Sequence, residues 1–200
     1  MARPRLHDEN LRLRLLENAG RLVTEHGVDG LSLRTLATQS RTSTTAIYSL
    51  FGGKTGLLGA LFDESFDSFG ASQRAVPISG DPVTDLAGLG RAYWDWARLH
   101  PQLYSVMFSQ ALAGVERTPE QAARAEATMQ PLAGVVWAAV DSGLLTGDPF
   151  TITFSVWAAV HGVVSLALAD CAPPDESVRD ALFAATAESV VRGWLASSQR

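Results

Sequence analysis

Cysteine and lysine are almost missing from this chain, and period-two alternation and long apolar runs are missing altogether; each shortage removes a class of reading. The single cysteine among 200 residues, Cys171, excludes an intrachain disulfide and a metal site built on several thiolates. No segment alternates apolar and polar side chains, so no strand is expected. The longest apolar region, residues 156–169, is about 14 residues long and contains His161, short of the ~20 that a membrane-spanning helix needs. Residues 1–16 are basic but carry Asp8 and Glu9 and lack the apolar stretch of a secretion signal. The expectation is a soluble cytoplasmic protein with no membrane partner, free of repeats and low-complexity tracts. No cofactor, metal site or catalytic residue is expected either: no second histidine, paired acid or activated hydroxyl stands beside His161 in the sequence.

What is present is apolar and unevenly charged. A hydrophobic content of 46% against 18% charged residues makes the chain globular. The net charge of −5 hides an asymmetry: residues 1–54 hold eight Arg or Lys against five acids, and the remainder holds eight against sixteen. A cationic head on an acidic body suits a protein that offers one end to phosphates.

The apolar rhythm is helical throughout. Leu11, Leu15, Ala19, Leu22 and Val23 predict a first helix over residues 8–26, with Gly27 as its stop. Ser32 stands where a cap would, before a short helix ending near Gln39, and Ser43 caps a segment over residues 44–50 with Ile47 and Phe51 inward. Gly52 and Gly53 break it, and a fourth helix runs from about Lys54 through Phe66. After a loop over residues 70–82, Val83, Leu86, Leu89, Tyr93, Trp94 and Ala97 form a stripe, and Pro101 restarts the chain. Thr118 before Pro119 and Asp148 before Pro149 each pair a capping residue with a proline at the first helical position, and each is expected to open a long helix. In the second, Phe150, Phe154, Trp157, His161, Val164 and Leu168 form the expected inward stripe; a last helix covers about 176–196. The fold class is all-α with about nine helices, divided into domains 1–54 and 55–200.

Residues 31–61 carry the chemistry: a short helix, a turn of about four residues, and a second short helix fronted by Thr44, Thr45 and Ala46. A helix entering the ~12 Å major groove N-terminus first needs short leading side chains, so that base edges are reachable. Tyr48 on the solvent side of a helix that buries Ile47 suits a DNA-facing surface better than an ordinary helical hairpin. The segment resembles the DNA-binding domain of the TetR family, whose pattern places a Tyr, a Phe three residues on and a Lys three further, here Tyr48, Phe51 and Lys54. Lys54 is the one lysine among sixteen basic residues. The resemblance implies a DNA face made of Arg34, Thr44, Thr45, Ala46, Tyr48 and Lys54, with Tyr48 and Lys54 on phosphates and residues 44–46 on bases. Thr42 and Ser43 of the turn are counted with that face. Where the family has a small residue or glycine in the turn, this chain has Arg41; a left-handed backbone there would cost about 1–2 kcal/mol. Arg41 either offsets that through a phosphate or is a solvated turn residue.

Trp157, His161 and Gly162 resemble the Trp-x-x-x-His-Gly motif of one TetR C-terminal subclass, named WHG, as does the region from His100 to Phe108. That resemblance implies a ligand chamber and a dimer formed by the last two helices, which show apolar residues over a wide arc. Trp94, Tyr104, Met107, Phe108, Trp137, Trp157 and His161 are its candidate lining for a small apolar or aromatic effector, although such residues at helical spacing are more often core. The function expected is a DNA-binding regulator, in the family's commoner mode a repressor, acting as a homodimer on palindromic double-stranded operator DNA. The alternatives are a dimeric regulator with no effector, and an all-α enzyme or carrier.

Overall fold

A computed structural model describes residues 5–108 and 117–196, with side chains from residue 9 onward. Ten helices are present among them: α1 (Arg5–Gly30), α2 (Leu33–Gln39), α3 (Thr44–Phe51), α4 (Lys54–Arg74), α5 (Pro82–Leu99), α6 (Pro101–Phe108), α7 (Pro119–Ala127), α8 (Gln130–Asp141), α9 (Pro149–Leu168) and α10 (Glu176–Trp194). No strand occurs among the described residues; a single antiparallel bridge joins Leu145 to Leu195. Backbone packing divides the chain into two compact units, Met1–Ser68 with His100–Ala125, and Phe69–Leu99 with Glu126–Arg200.

The first unit is built on the apolar face of α1. Leu15, Leu16, Ala19, Leu22 and Val23 are buried there with Leu36 and Ala37 of α2, Ile47 of α3, and Leu57, Leu58, Leu61 and Phe62 of α4. Gly27 interrupts α1 with φ +70°, as the sequence predicts, and a short turn to Gly30 follows. On α6, Tyr104, Val106 and Met107 are buried.

In the second unit Leu86 and Leu89 of α5 meet Val135, Val136 and Ala139 of α8 and Ile152 and Val156 of α9, and α10 packs on α9. The chain closes on itself where the Thr146 amide donates to the Trp194 carbonyl (2.8 Å) and the Ala196 amide to that of Leu144 (3.0 Å).

Three expectations change. The long helix expected after Pro119 is two helices, because Pro131 has no amide hydrogen to continue the ladder and a turn at Thr128 and Met129 intervenes; this accounts for ten helices rather than nine. Val83, expected on the inward stripe of α5, is 50% exposed. The inward face of α9 is Ile152, Thr153, Val156, Val160 and Val164, while Phe150 and Phe154 are 74% and 54% exposed. With apolar residues on both faces, periodicity cannot choose between them. The apolar stretch is also longer than the 156–169 count: Thr153 Oγ donates to the Pro149 carbonyl and Ser155 Oγ to that of Thr151, so these hydroxyls are absorbed into the helix. The result is a helix of 20 residues, long and apolar enough by length and composition alone to cross a bilayer, with 28% of its apolar window buried inside the chain.

Carboxylates cap the second unit. Asp148 accepts from the Thr151 hydroxyl (2.7 Å) and amide (2.8 Å), and these bonds hold its carboxyl below the ordinary value; Asp85, bonded first to the Ser79 hydroxyl and then to its amide, is lowered likewise. A lowered folded-state value stabilises the fold above the ordinary aspartate value of about 3.9 and is lost as pH falls through the folded value. Asp148→Ala is therefore expected to reduce stability at pH 7 and to show a shrinking deficit as pH drops below the ordinary aspartate value of about 3.9. Urea unfolding at both pH values checks it; a deficit independent of pH would remove the carboxylate from the account.

Candidate nucleic-acid interface

Short helices are set here by their ends. The Ser32 hydroxyl accepts from the Thr35 amide (3.3 Å) to start α2, and the Ser43 hydroxyl accepts from the Ala46 amide (3.1 Å) to start α3, each as expected of an N-cap. Between them Ser40 is fully buried; its hydroxyl accepts from Asn18 Nδ2 (3.0 Å) and its carbonyl from Arg14 Nε (3.3 Å), so α1 grips the turn. Arg41 has φ +51°, the left-handed conformation that the sequence placed in question. At the far end Gly52 (φ +71°) caps α3 by donating to the Tyr48 carbonyl at 2.8 Å. Gly53 has φ +128°, and a Cβ on it would lie 3.3 Å from the Tyr48 ring, so the ring rests on bare backbone one residue before Lys54.

Ile47 is fully buried and turns the other side of α3 outward. Arg34, Arg41, Ser43, Thr45 and Tyr48 are exposed, Tyr48 by 58%, and Thr42, Thr44, Ala46 and Lys54 are half-buried. Phe51, expected inward, is half-buried. Among the described residues no ion pair engages Arg34, Arg41 or Lys54, whereas Arg12 pairs with Glu64 at 2.9 Å and Arg21 with Glu25 at 3.9 Å. The candidates therefore gather on the α2–turn–α3 segment and the start of α4, with three cations unneutralised.

The C-terminal candidates divide between the two units, Tyr104, Met107 and Phe108 in the first and Trp94, Trp137, Trp157 and His161 in the second. Trp94 is fully buried, donates from its indole nitrogen to Asp180 (2.7 Å) and stacks on Phe183 at 4.8 Å. His161 lies with Nδ1 3.1 Å from the Tyr93 hydroxyl and Nε2 3.4 Å from the Ser165 hydroxyl. Burial pushes its pKa down and favours the neutral ring. Trp157 is half-buried between Phe154 and His161, with ring centroids 5.4 and 5.6 Å away. Trp137 is 55% exposed, on the outer side of α8. Tyr104 and Phe108 lie 4.9 Å apart in the first unit with buried Met107. Sequence reasoning missed Ser40, Asn18, Tyr93 and Asp180; the need of a buried indole N–H for an acceptor was a signal toward Asp180, but nothing in the spacing pointed to Ser40.

An N-terminal three-helix unit with this capped, exposed second pair is a helix-turn-helix, and comparison with known proteins gives its kind. Residues 15–61 match the family model "Bacterial regulatory proteins, tetR family", and residues 86–190 match "Tetracyclin repressor-like, C-terminal domain". The chain belongs to the TetR family of bacterial transcription regulators. It is similar to the HTH-type transcriptional regulator Rv1816 of Mycobacterium tuberculosis, 22% identical over 143 residues, which cover 70% of this chain and 60% of that relative's length. The HTH-type transcriptional repressor SCO4008 of Streptomyces coelicolor is 25% identical over 128 residues, 64% of each chain. Among solved structures, a protein of unknown function from Rhodococcus sp. RHA1 superposes with a TM-score of 0.75 at 26% identity, covering 93% of this chain and 96% of that one. The TetR family regulator PfmR of Thermus thermophilus shares the fold, with a TM-score of 0.73 at 19% identity over 90% of this chain and 97% of that one.

The left-handed Arg41 has a measurable consequence. Arg41→Gly relieves the Cβ strain at φ +51° and is expected to stabilise the protein by about 0.5–1 kcal/mol, the strain relief being partly offset by glycine's extra unfolded-state freedom. Equilibrium urea unfolding reads it, and a loss of stability would mean that the arginine side chain contributes more than its backbone costs.

Proposed function

We propose that this chain is a homodimeric repressor that binds palindromic double-stranded operator DNA through residues 1–54 and is released by a small-molecule effector in residues 55–200. The observation that carries the reading is the surface of α3: short side chains at Thr44, Thr45 and Ala46 leading, an exposed Tyr48 behind, and the unpaired cations Arg34, Arg41 and Lys54 around them. Tyr48 and Lys54 grip phosphates, and Thr45 with its neighbours reads base edges. The name of the Streptomyces coelicolor relative, a transcriptional repressor, supports the sign of regulation.

The dimer reading is supported by the apolar surface left on the last two helices. Phe150, Phe154 and Leu166 of α9 and Val178 and Leu182 of α10 are all more than 40% exposed. A second copy bringing the same pair would cover them in a four-helix contact and set two recognition helices about 34–36 Å apart, or a multiple. A second reading, dimerisation with no effector, draws support from the partners already held by Trp94 and His161.

Fluorescence anisotropy against duplex from the upstream region, at two salt concentrations and beside a scrambled duplex, tests operator binding. Lys54→Ala is expected to lower the salt slope by about one unit, and Thr45→Ala to relax base preference with the slope unchanged. An unaltered slope in Lys54→Ala would take Lys54 off the phosphates. Leu182→Glu places a charge in the proposed contact and is expected to give a monomer by light scattering with weakened operator binding; an intact dimer would move the interface elsewhere.

A further inference from the structure

A cavity of about 570 Å³ lies in the second unit between the C-terminal end of α4, the loop over residues 75–81, the first turn of α5 and α8. Its walls are mainly apolar, with Val76, Ile78, Pro131 and Val135 among them. Four polar side chains meet this lining, Asp85, Gln73, Arg74 and the exposed Gln130, and they are not equivalent. Asp85 is buried, but its carboxylate is occupied by the Ser79 amide (2.8 Å), the Ser79 hydroxyl (2.7 Å) and the Gly80 amide (3.1 Å), which fold the loop into a rim. Gln73 is 5% exposed, and its Nε2 is buried with no hydrogen-bond partner among the described residues. An unpaired buried donor is costly, and native proteins leave few of them without a functional reason. Arg74 forms no ion pair among the described residues. Its guanidinium lies back along α4 where Gly70 makes room: a Cβ there would stand 2.8 Å from Nη1.

An unpaired donor and an unneutralised cation beside an apolar chamber call for an anionic acceptor on an apolar body. We propose that this cavity is the effector site and takes a small monocarboxylate with an aryl or short alkyl body, its carboxylate held by the Gln73 amide and Arg74. The terminal torsion of a glutamine is soft, so the amide turns toward a ligand at little cost. The proposal rests on the regulator reading, and α4 joins the two, one uninterrupted helix with Lys54 at its start and Gln73 and Arg74 at its end.

Calorimetric titration of the full chain with sodium phenylacetate and sodium hexanoate tests it, with phenylacetamide as the neutral match and operator anisotropy run in parallel on every variant. Expected are saturable binding of one carboxylate per chain, about tenfold weaker binding of phenylacetamide, loss of that preference in Arg74→Gln, and weaker operator binding when the carboxylate is present. Gly134→Leu, at a cavity-lining position where a Cβ meets nothing within 4 Å, is expected to abolish carboxylate binding with operator affinity intact. Gln73→Leu is expected to raise the melting temperature while weakening the ligand, a combination that a purely structural glutamine would not give. No binding of either carboxylate, binding unchanged in Gly134→Leu, or binding without any effect on the operator each overturns the proposal. Absence of operator binding in the unliganded parent protein instead marks failure of the regulator reading.

Discussion

A helix of eight residues has too few internal hydrogen bonds to persist alone, so whatever α3 presents depends on how it is held. The hold is at Ser40. A buried serine with both its hydroxyl and its carbonyl bonded to α1, through Asn18 and Arg14, fixes where α2 ends and where the chain must turn. From that point Ser43 and Ile47 set the start and the inward face of α3, and Gly52 with Gly53 sets its exit. Tyr48 is exposed because Ile47 takes the inward face, and Lys54 follows a turn whose positive φ at Gly52 and Gly53 glycine adopts without Cβ strain.

The charge count of the N-terminal segment overstates what is available to phosphates. Three of its arginines are engaged within the unit: Arg12 on Glu64, Arg14 on the Ser40 carbonyl, and Arg21 on Asn18, Gln39 and Glu25. Those arginines bind α1 to α2 and α4. Among the described residues of this segment, Arg34, Arg41 and Lys54 form neither an ion pair nor a side-chain hydrogen bond, while Arg14 keeps its charge beside the Ser40 carbonyl; the three lie on α2, the turn and the first residue of α4, and bracket α3 on both sides. Position, more than net charge, makes this surface suited to a polyanion.

Elements whose limits are set by local chemistry were legible in the sequence. Ser32, Ser43 and Asp148 bond the amides expected of them, and Gly27 and Gly52 adopt the left-handed conformations that stop helices. The three-helix arrangement and its outward residues followed from these limits together with one apolar stripe per helix. Choices that depend on packing were not legible. On α9, Phe150 and Phe154 continue one stripe and Ile152, Val156 and Val160 another, and only the partner helices α5, α8 and α10 decide between them. Pro131 falls within the long helix expected after Pro119, and it stands instead at the start of a new helix.

His161 shows how a motif residue that looks open to a ligand can already be partnered. Burial favours its neutral ring, which has one donor and one acceptor nitrogen. The hydroxyls flanking it, Tyr93 on one side and Ser165 on the other, each donate or accept, so either tautomer is satisfied without an added group. Tyr93 is on α5 and His161 on α9, and their bond ties two helices of one core together. Trp94, the next residue along α5, does the same toward α10 through Asp180. Trp94 and His161, two of the aromatic residues that resemble a ligand lining, are thus already bonded within the second unit, whereas Gln73 Nε2 is buried without a partner among the described residues. Unspent hydrogen-bonding capacity, more than aromatic content, distinguishes a site prepared for a ligand from a core already complete.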